Sequence, residues 1–289
     1  MSGTQALPEG DGPLRYEDLI GATRELKRRY DFFQSLTVGK SVLGRGIPAY
    51  ALGVGQADVL YAGGFHGTDS ASPALLVQFA DRICRHLQEN SRMDGLDITG
   101  YLADHVVYIL PMLNPDGAEI CLGGMETAGG FAQAVRRCAR GRAELWQANV
   151  RGVDLSHNFH YGFENYRMAA RAAGVTAPAP SGYPGPRAES EPESRTLANL
   201  CRRLMFRKAI AFCGTDGRVR WAGGARTPRS SREMARMLSA ATGCEAMPDQ
   251  DPADGGFGGW FVSVFGRPAF AVGPQGAESA AALPLGLFL

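Results

Sequence analysis

Three short apolar runs constrain the fold of this chain more than any other feature. DVLYAGGF (residues 58–65), HVVYILPML (105–113) and KAIAFCG (208–214) are too short for buried helices. They are rich in branched and aromatic residues, and they end in Gly or Pro. Continuous apolar runs of this kind read as strands covered on both faces. Between them lie segments with helical spacing: YEDLIGATRELKRRY (16–30), SPALLVQFADRICRHLQEN (72–90), ESRTLANLCRRLM (193–205) and SSREMARMLSAATG (230–243), the last stopped by Gly243. In the second of these, Leu75, Leu76, Phe79, Ile83 and Leu87 share one face. SLTVGKSVLGRGIPAYALG (35–53) predicts two strands joined by a glycine turn, and GWFVSVFGRPAFAVG (259–273) a helical turn and a last strand. Strands alternating with helices predict one α/β domain with a mostly parallel or mixed sheet. The pattern over 123–142 is irregular, AGVTAPAPSGYPGPRAESEP (173–192) predicts a long surface loop, and NPDG (114–117) reads as a turn.

In such sheets ligands sit beyond the carboxyl ends of the strands. His66, Asn114, Cys213 and Gly273 all fall at or just past strand-like runs. In GGFHGTD (63–69), a histidine and a carboxylate three residues apart suit a metal site, and they suit a polar loop equally. Bulk charge offers no further guide: the formal net charge of +1 over 289 residues gives no reason to expect nucleic acid or an acidic membrane as partner. Nearly all the positive charge is arginine, and RRCARGRAE (136–144) is an arginine-dense surface stretch. Six scattered cysteines form no C-x-x-C pair, and no run approaches the roughly 18 apolar residues that span a bilayer. The N-terminus has neither a basic start nor an apolar core. The expectation is a cytoplasmic protein with reduced thiols.

Seven blocks, in order, resemble the zinc carboxypeptidase family, and in particular its bacterial branch of γ-D-glutamyl-L-diamino acid endopeptidases. GKSVLGRGIPAYALG is similar to the family's opening hairpin, and GGFHGTD stands at its H-x-x-E metal motif. PMLNPDGAEI, WQANVRGVDLSHNF and SGYPGPRAESEPES follow, then AFCGTDGRVRW, then GGFGGWFVSVFGRPAFAVG in the region that carries the family's catalytic glutamate. The resemblance implies a single domain over 16–289 after a flexible N-terminus (1–15), with a central mixed eight-stranded sheet flanked by helices. It also implies a final helix that this chain, ending at Leu289, is expected to lack.

At the chemical positions the resemblance implies departures. His66 is the first zinc ligand, Asp69 replaces the second ligand glutamate, and Cys213 stands for the third ligand histidine. No histidine follows His160 to take its place. Gly273 stands at the general base. Ser156 and His157 stand where the carboxypeptidases bind a substrate carboxylate, Gln147 at the carbonyl-polarising arginine, and Asp251 near the tyrosine of the lid. Gly259 replaces an aspartate, and Asp154, which supports a ligand histidine, survives.

Imidazole, carboxylate and thiolate are all zinc ligands, so His66, Asp69 and Cys213 remain a chemically admissible set. Aspartate reaches less far than glutamate, and a thiolate makes zinc a poorer Lewis acid. Glycine cannot take a proton from a zinc-bound water; Glu278 would do so only after a loop shift. The plainer readings are a loop histidine bonded to Asp69 or Asp154, a core cysteine, and hydrogen-bonded or exposed histidines at 157 and 160. The expected function is a family member with a degenerate site that binds peptide or peptidoglycan-type ligands. The alternative is an active zinc metallopeptidase using those three ligands. A nucleophilic Cys213 with His157 or His66 as base is the third reading.

Overall fold

A computed structural model describes residues 7–8, 12–69, 71–214, 216–222, 225–248 and 254–273. The chain enters through α1 (Tyr16–Arg29), β1 (Gln34–Lys40), β2 (Gly46–Leu52), β3 (Gln56–Ala62) and α2 (Ala71–Gln88). A two-residue hairpin, β4 (Arg92–Met93) and β5 (Leu96–Asp97), leads to α3 (Ile98–Asp104), β6 (His105–Leu110) and α4 (Pro115–Gly123). Then come α5 (Ala132–Ala139), α6 (Phe163–Ala172), α7 (Pro192–Leu204), β7 (Lys208–Phe212) and β8 (Arg218–Trp221). The last described elements are α8 (Ser231–Thr242), β9 (Glu245–Pro248), α9 (Phe257–Phe265) and β10 (Ala269–Gly273).

Eight strands form one mixed sheet in the order β1-β2-β6-β3-β7-β10-β8-β9. At its centre β6, β3, β7 and β10 run parallel, while β2 joins β6 and β8 joins β10 antiparallel. The alternation of strand side chains explains the continuous apolar runs. Tyr61, Ile210 and Phe270 face one core with α1, α2 and α8, while Leu60, Ala211 and Ala269 face the other with α7 and α9. Both faces are therefore dry, and the chemistry is confined to the strand ends.

Two local readings differ from the structure. NPDG does not close a turn; it opens α4. Asn114 accepts from Gly117 N at 2.9 Å and Pro115 occupies the first helical position. The irregular stretch 123–142 contains α5, whose short amphipathic pattern is masked by Gly129 and Gly130 just before it. The expected lack of a final helix falls on residues 274–289, outside the described residues, as do Asp251 and Glu278.

Candidate active site

The carboxyl ends of β3, β7 and β10 and the start of α9 enclose a cleft of about 360 Å3. Phe65, Ala211, Ala269 and Ala271 give it an apolar wall; His66, Ser156, His157, Cys213, Arg220 and Asp254 supply its polar groups. Its construction begins with glycines. Gly64 leaves β3 at φ +61°, and a Cβ there would lie 2.9 Å from Met112 Cα. At Gly67 a Cβ would meet Gly117 O and Trp146 O at 2.4 Å, so only glycine lets the 66–69 turn pack against α4 and the 146–148 segment. Asn114 Nδ2 ties that segment together by donating to Phe65 O and Gln147 O, both at 3.1 Å.

His66 is held through one nitrogen. Its Nε2 lies 3.2 Å from Asp154 Oδ1 and 3.0 Å from Ser156 Oγ. Ser156 Oγ spends its own proton on Asp154 Oδ1, at 2.6 Å, so toward His66 it accepts. Nε2 therefore donates, and in the neutral ring Nδ1 carries the lone pair. Nδ1 has no hydrogen-bond partner among the described residues. Burial opposes charge on the ring, but the hydrogen bond and charge of Asp154, with the charge of Asp69, outweigh it and raise the His66 pKa. Asp154 is fully committed: it also accepts from Ser156 N and Gly182 N. Burial works against its charge, yet the bond to His66 and the charges of His66 and His157 hold it well below the usual carboxylate range. Asp154 thus bonds His66, the residue that the resemblance puts at the first ligand position.

Asp69 does something else. Its Oδ1 accepts from Ser72 N at 3.1 Å and its Oδ2 from Ser72 Oγ at 2.6 Å, so it caps the first turn of α2. Ser72 Oγ in turn accepts from Gly64 N at 2.9 Å. Burial raises the Asp69 pKa despite these bonds. Cys213 lines the cleft, and burial, followed by the Asp69 charge, pushes its thiol up to about 12. The zinc-binding form of cysteine is the thiolate. Among the described residues no group of three or more His, Cys, Asp or Glu is placed to hold a metal ion, and with Asp69 turned to Ser72 this arrangement does not gather the three expected zinc ligands.

The Asp216 side chain lies against Gly273. A Cβ there would lie 2.3 Å from Asp216 Oδ1, and Asp216 is ion-paired with Arg220, whose side chain lines the cleft. Sequence reasoning passed over Asp216, Arg220 and Asp254, because the resemblance points only at positions the family uses. The first turn of α9 opens on the cleft through Gly256, Gly258 and Gly259, and Asp254 Oδ1 accepts from Gly256 N at 2.8 Å at its start. Helix starts and guanidinium groups both favour negative charge. His157 stacks on Tyr166 with ring centroids 3.7 Å apart, and its Nδ1 donates to Asp254 O at 2.9 Å. His160 is exposed beside Glu189 instead, so the two histidines engage different partners. Gln147 lies outside the cleft and lines a neighbouring groove.

The comparisons with known proteins agree with this frame. The chain is 26% identical over 272 residues to γ-D-glutamyl-L-diamino acid endopeptidase 1 of Lysinibacillus sphaericus, covering 93% of this chain and 67% of that protein. An uncharacterized Bacillus subtilis protein, YqgT, is 25% identical over 268 residues, covering 89% and 69%. Among solved structures, thrombin-activatable fibrinolysis inhibitor superposes with TM-score 0.67 at 17% identity, over 95% of this chain and 69% of that one. Murein-tripeptide amidase MpaA of Escherichia coli O157 superposes with TM-score 0.53 at 19% identity, over 86% of each. These structures share the fold: a single α/β domain with a mixed eight-stranded sheet. A family model described as zinc carboxypeptidase matches residues 20–245, from α1 to the start of β9, and so includes the ends of β3 and β7 at the cleft: the chain belongs to the zinc carboxypeptidase family.

Proposed function

We propose that this chain binds peptides of the cell-wall type in its cleft and does not hydrolyse them by the zinc-dependent route of its family. The observation that carries this reading is the placement of Asp69, which caps α2 through Ser72, with no group of three or more His, Cys, Asp or Glu placed to hold a metal among the described residues. The relatives' names support the ligand class, since one is a γ-D-glutamyl-L-diamino acid endopeptidase and one a murein-tripeptide amidase. In this reading Arg220 and the start of α9 hold a peptide carboxylate, and His66 Nδ1 accepts a peptide N–H. The apolar wall from Phe65 to Ala271 carries the aliphatic part of the ligand.

The test is calorimetry with the tripeptide L-Ala-γ-D-Glu-diaminopimelate, alongside mass spectrometry of the same mixture with zinc added. Gly258 lines the cleft and a Cβ there meets nothing within 4 Å, so Gly258→Trp is the substitution that plugs the cleft. Saturable binding that Gly258→Trp abolishes, with the tripeptide recovered intact, is the expected result. Zinc-dependent cleavage that Cys213→Ala abolishes would overturn it in favour of a working His66–Asp69–Cys213 metallopeptidase.

A further inference from the structure

Beside the cleft lies a second, larger concavity of about 800 Å3. One wall is the end of α5 and the turn after it, carrying Arg137, Arg140 and Arg142; the other is residues 174–181, which bear no charge. Thr68 and Gln147 also line it, and among the described residues no carboxylate does. Some exposed arginines elsewhere have a carboxylate partner, as Arg15 with Glu119, Arg28 and Arg29 with Glu25, Arg202 with Glu189, and Arg136, on α5 itself, with Glu126. Arg137, Arg140 and Arg142 make no side-chain hydrogen bond or ion pair with any described residue. Three guanidinium groups gathered in one groove without a counter-charge repel one another, and an anion bound among them relieves that repulsion.

The groove and the cleft share a wall. Gly67 N donates to Gln147 O at 2.9 Å, and Gln147 N and Ala148 N both donate to Pro180 O at 2.9 Å. His66 faces the cleft and Thr68 the groove, two residues apart. An extended peptide advances about 3.4 Å per residue, so a ligand of a few residues reaches from one to the other.

We propose that this arginine groove is a binding site for the carboxylate-rich part of a peptide whose remainder occupies the cleft. The inference builds on the peptide-binding reading above and names the chemistry of the ligand: several free carboxylates, each matched to a guanidinium fork. Nucleic acid fits less well. No aromatic side chain lines the groove to stack a base, and the chain as a whole carries only +1.

Fluorescence anisotropy with a labelled tetraglutamate peptide tests this, with tetraglutamine and the oligonucleotide dT4 as controls, at low and high salt. The three arginines are exposed, so Arg137→Gln/Arg140→Gln/Arg142→Gln leaves the fold intact, which an unchanged melting temperature checks. Tetraglutamate is expected to bind more tightly than tetraglutamine, to weaken with salt, and to lose about tenfold in the triple variant, since exposed charge pairs contribute modestly each. Gly258→Trp separates the two readings: it removes tripeptide binding if the cleft is used, while in its background the further loss of tetraglutamate binding on replacing the three arginines persists if the groove holds carboxylates. Equal tetraglutamate binding by wild type and triple variant would overturn the inference, as would dT4 binding as tightly as the peptide. Tetraglutamate binding that does not weaken with salt would overturn it as well.

Discussion

Replacing Asp69 by alanine separates a capping aspartate from a metal ligand. Asp69 accepts two bonds, from Ser72 N at 3.1 Å and Ser72 Oγ at 2.6 Å, and it is 8% exposed. Losing a helix cap costs about 1 kcal/mol. Leaving a buried donor unsatisfied costs roughly 1–3 kcal/mol more. Asp69→Ala should therefore lower stability by about 3 kcal/mol, which for a chain of this length lowers the melting temperature by about 5 °C. Asp69→Asn keeps an oxygen that accepts from Ser72 N and should recover most of the loss. Differential scanning calorimetry with and without zinc, at a fixed protein concentration, provides the assay. A ligand role predicts another pattern: zinc at about a hundredfold its dissociation constant would stabilise the wild type by about 2.7 kcal/mol. Asparagine and alanine would then abolish that gain alike. A zinc shift in the wild type that both variants remove would refute the capping argument. A loss that is independent of zinc and rescued by asparagine supports it.

Two further outcomes follow from the buried carboxylates and from the crowding at Gly273. Burial pushes Glu193, fully enclosed between Val42 N and Asn149 Nδ2, up to about 7. A raised carboxyl pKa favours folding below the unfolded value and loses that contribution as pH rises through 7. Wild type should thus weaken relative to Glu193→Gln by about 3 kcal/mol between pH 5 and pH 8 in urea titrations; an identical difference at both pH values would refute this. Gly273→Glu should not create zinc-dependent hydrolysis of γ-D-glutamyl-L-lysine, because its Cβ must displace Asp216 and Asp69 stays on Ser72. Release of lysine above the wild-type background would show otherwise.

The frame of this protein is written in its apolar runs. Leu60–Tyr61 and Ile210–Ala211 alternate between two cores, so continuous hydrophobicity was a faithful sign of strands covered on both faces. Helix ends were legible where glycine closes them, as at Gly243 with φ 70°. Asn114-Pro115 misled because a cap followed by proline looks the same whether a turn or a helix comes next. The site was legible by position and not by contact. The spacing of His66 and Asp69 was compatible with a shared ligand. Which way each side chain turns depends on Ser72, Asp154 and Ser156, and two of these lie some 90 residues away. Asp216 and Arg220 left no signal, since an i,i+4 pair on a loop and short strand has the look of ordinary surface charge.

The strand order has a consequence for how the chain assembles. β10 is the last described strand, yet it lies inside the sheet, parallel to β7 and antiparallel to β8. Until residues 269–273 leave the ribosome, the ribbon of β8 and β9 has no seam to join, and β7 shows an unpaired backbone edge. During synthesis the half built from β1, β2, β6, β3 and β7 can collapse first, with the later half waiting on one five-residue insertion. The exposed seam in that interval is the place where a second nascent copy would pair wrongly. Closing the sheet and completing the cleft wall at Ala269 and Ala271 are therefore one event in the life of the molecule.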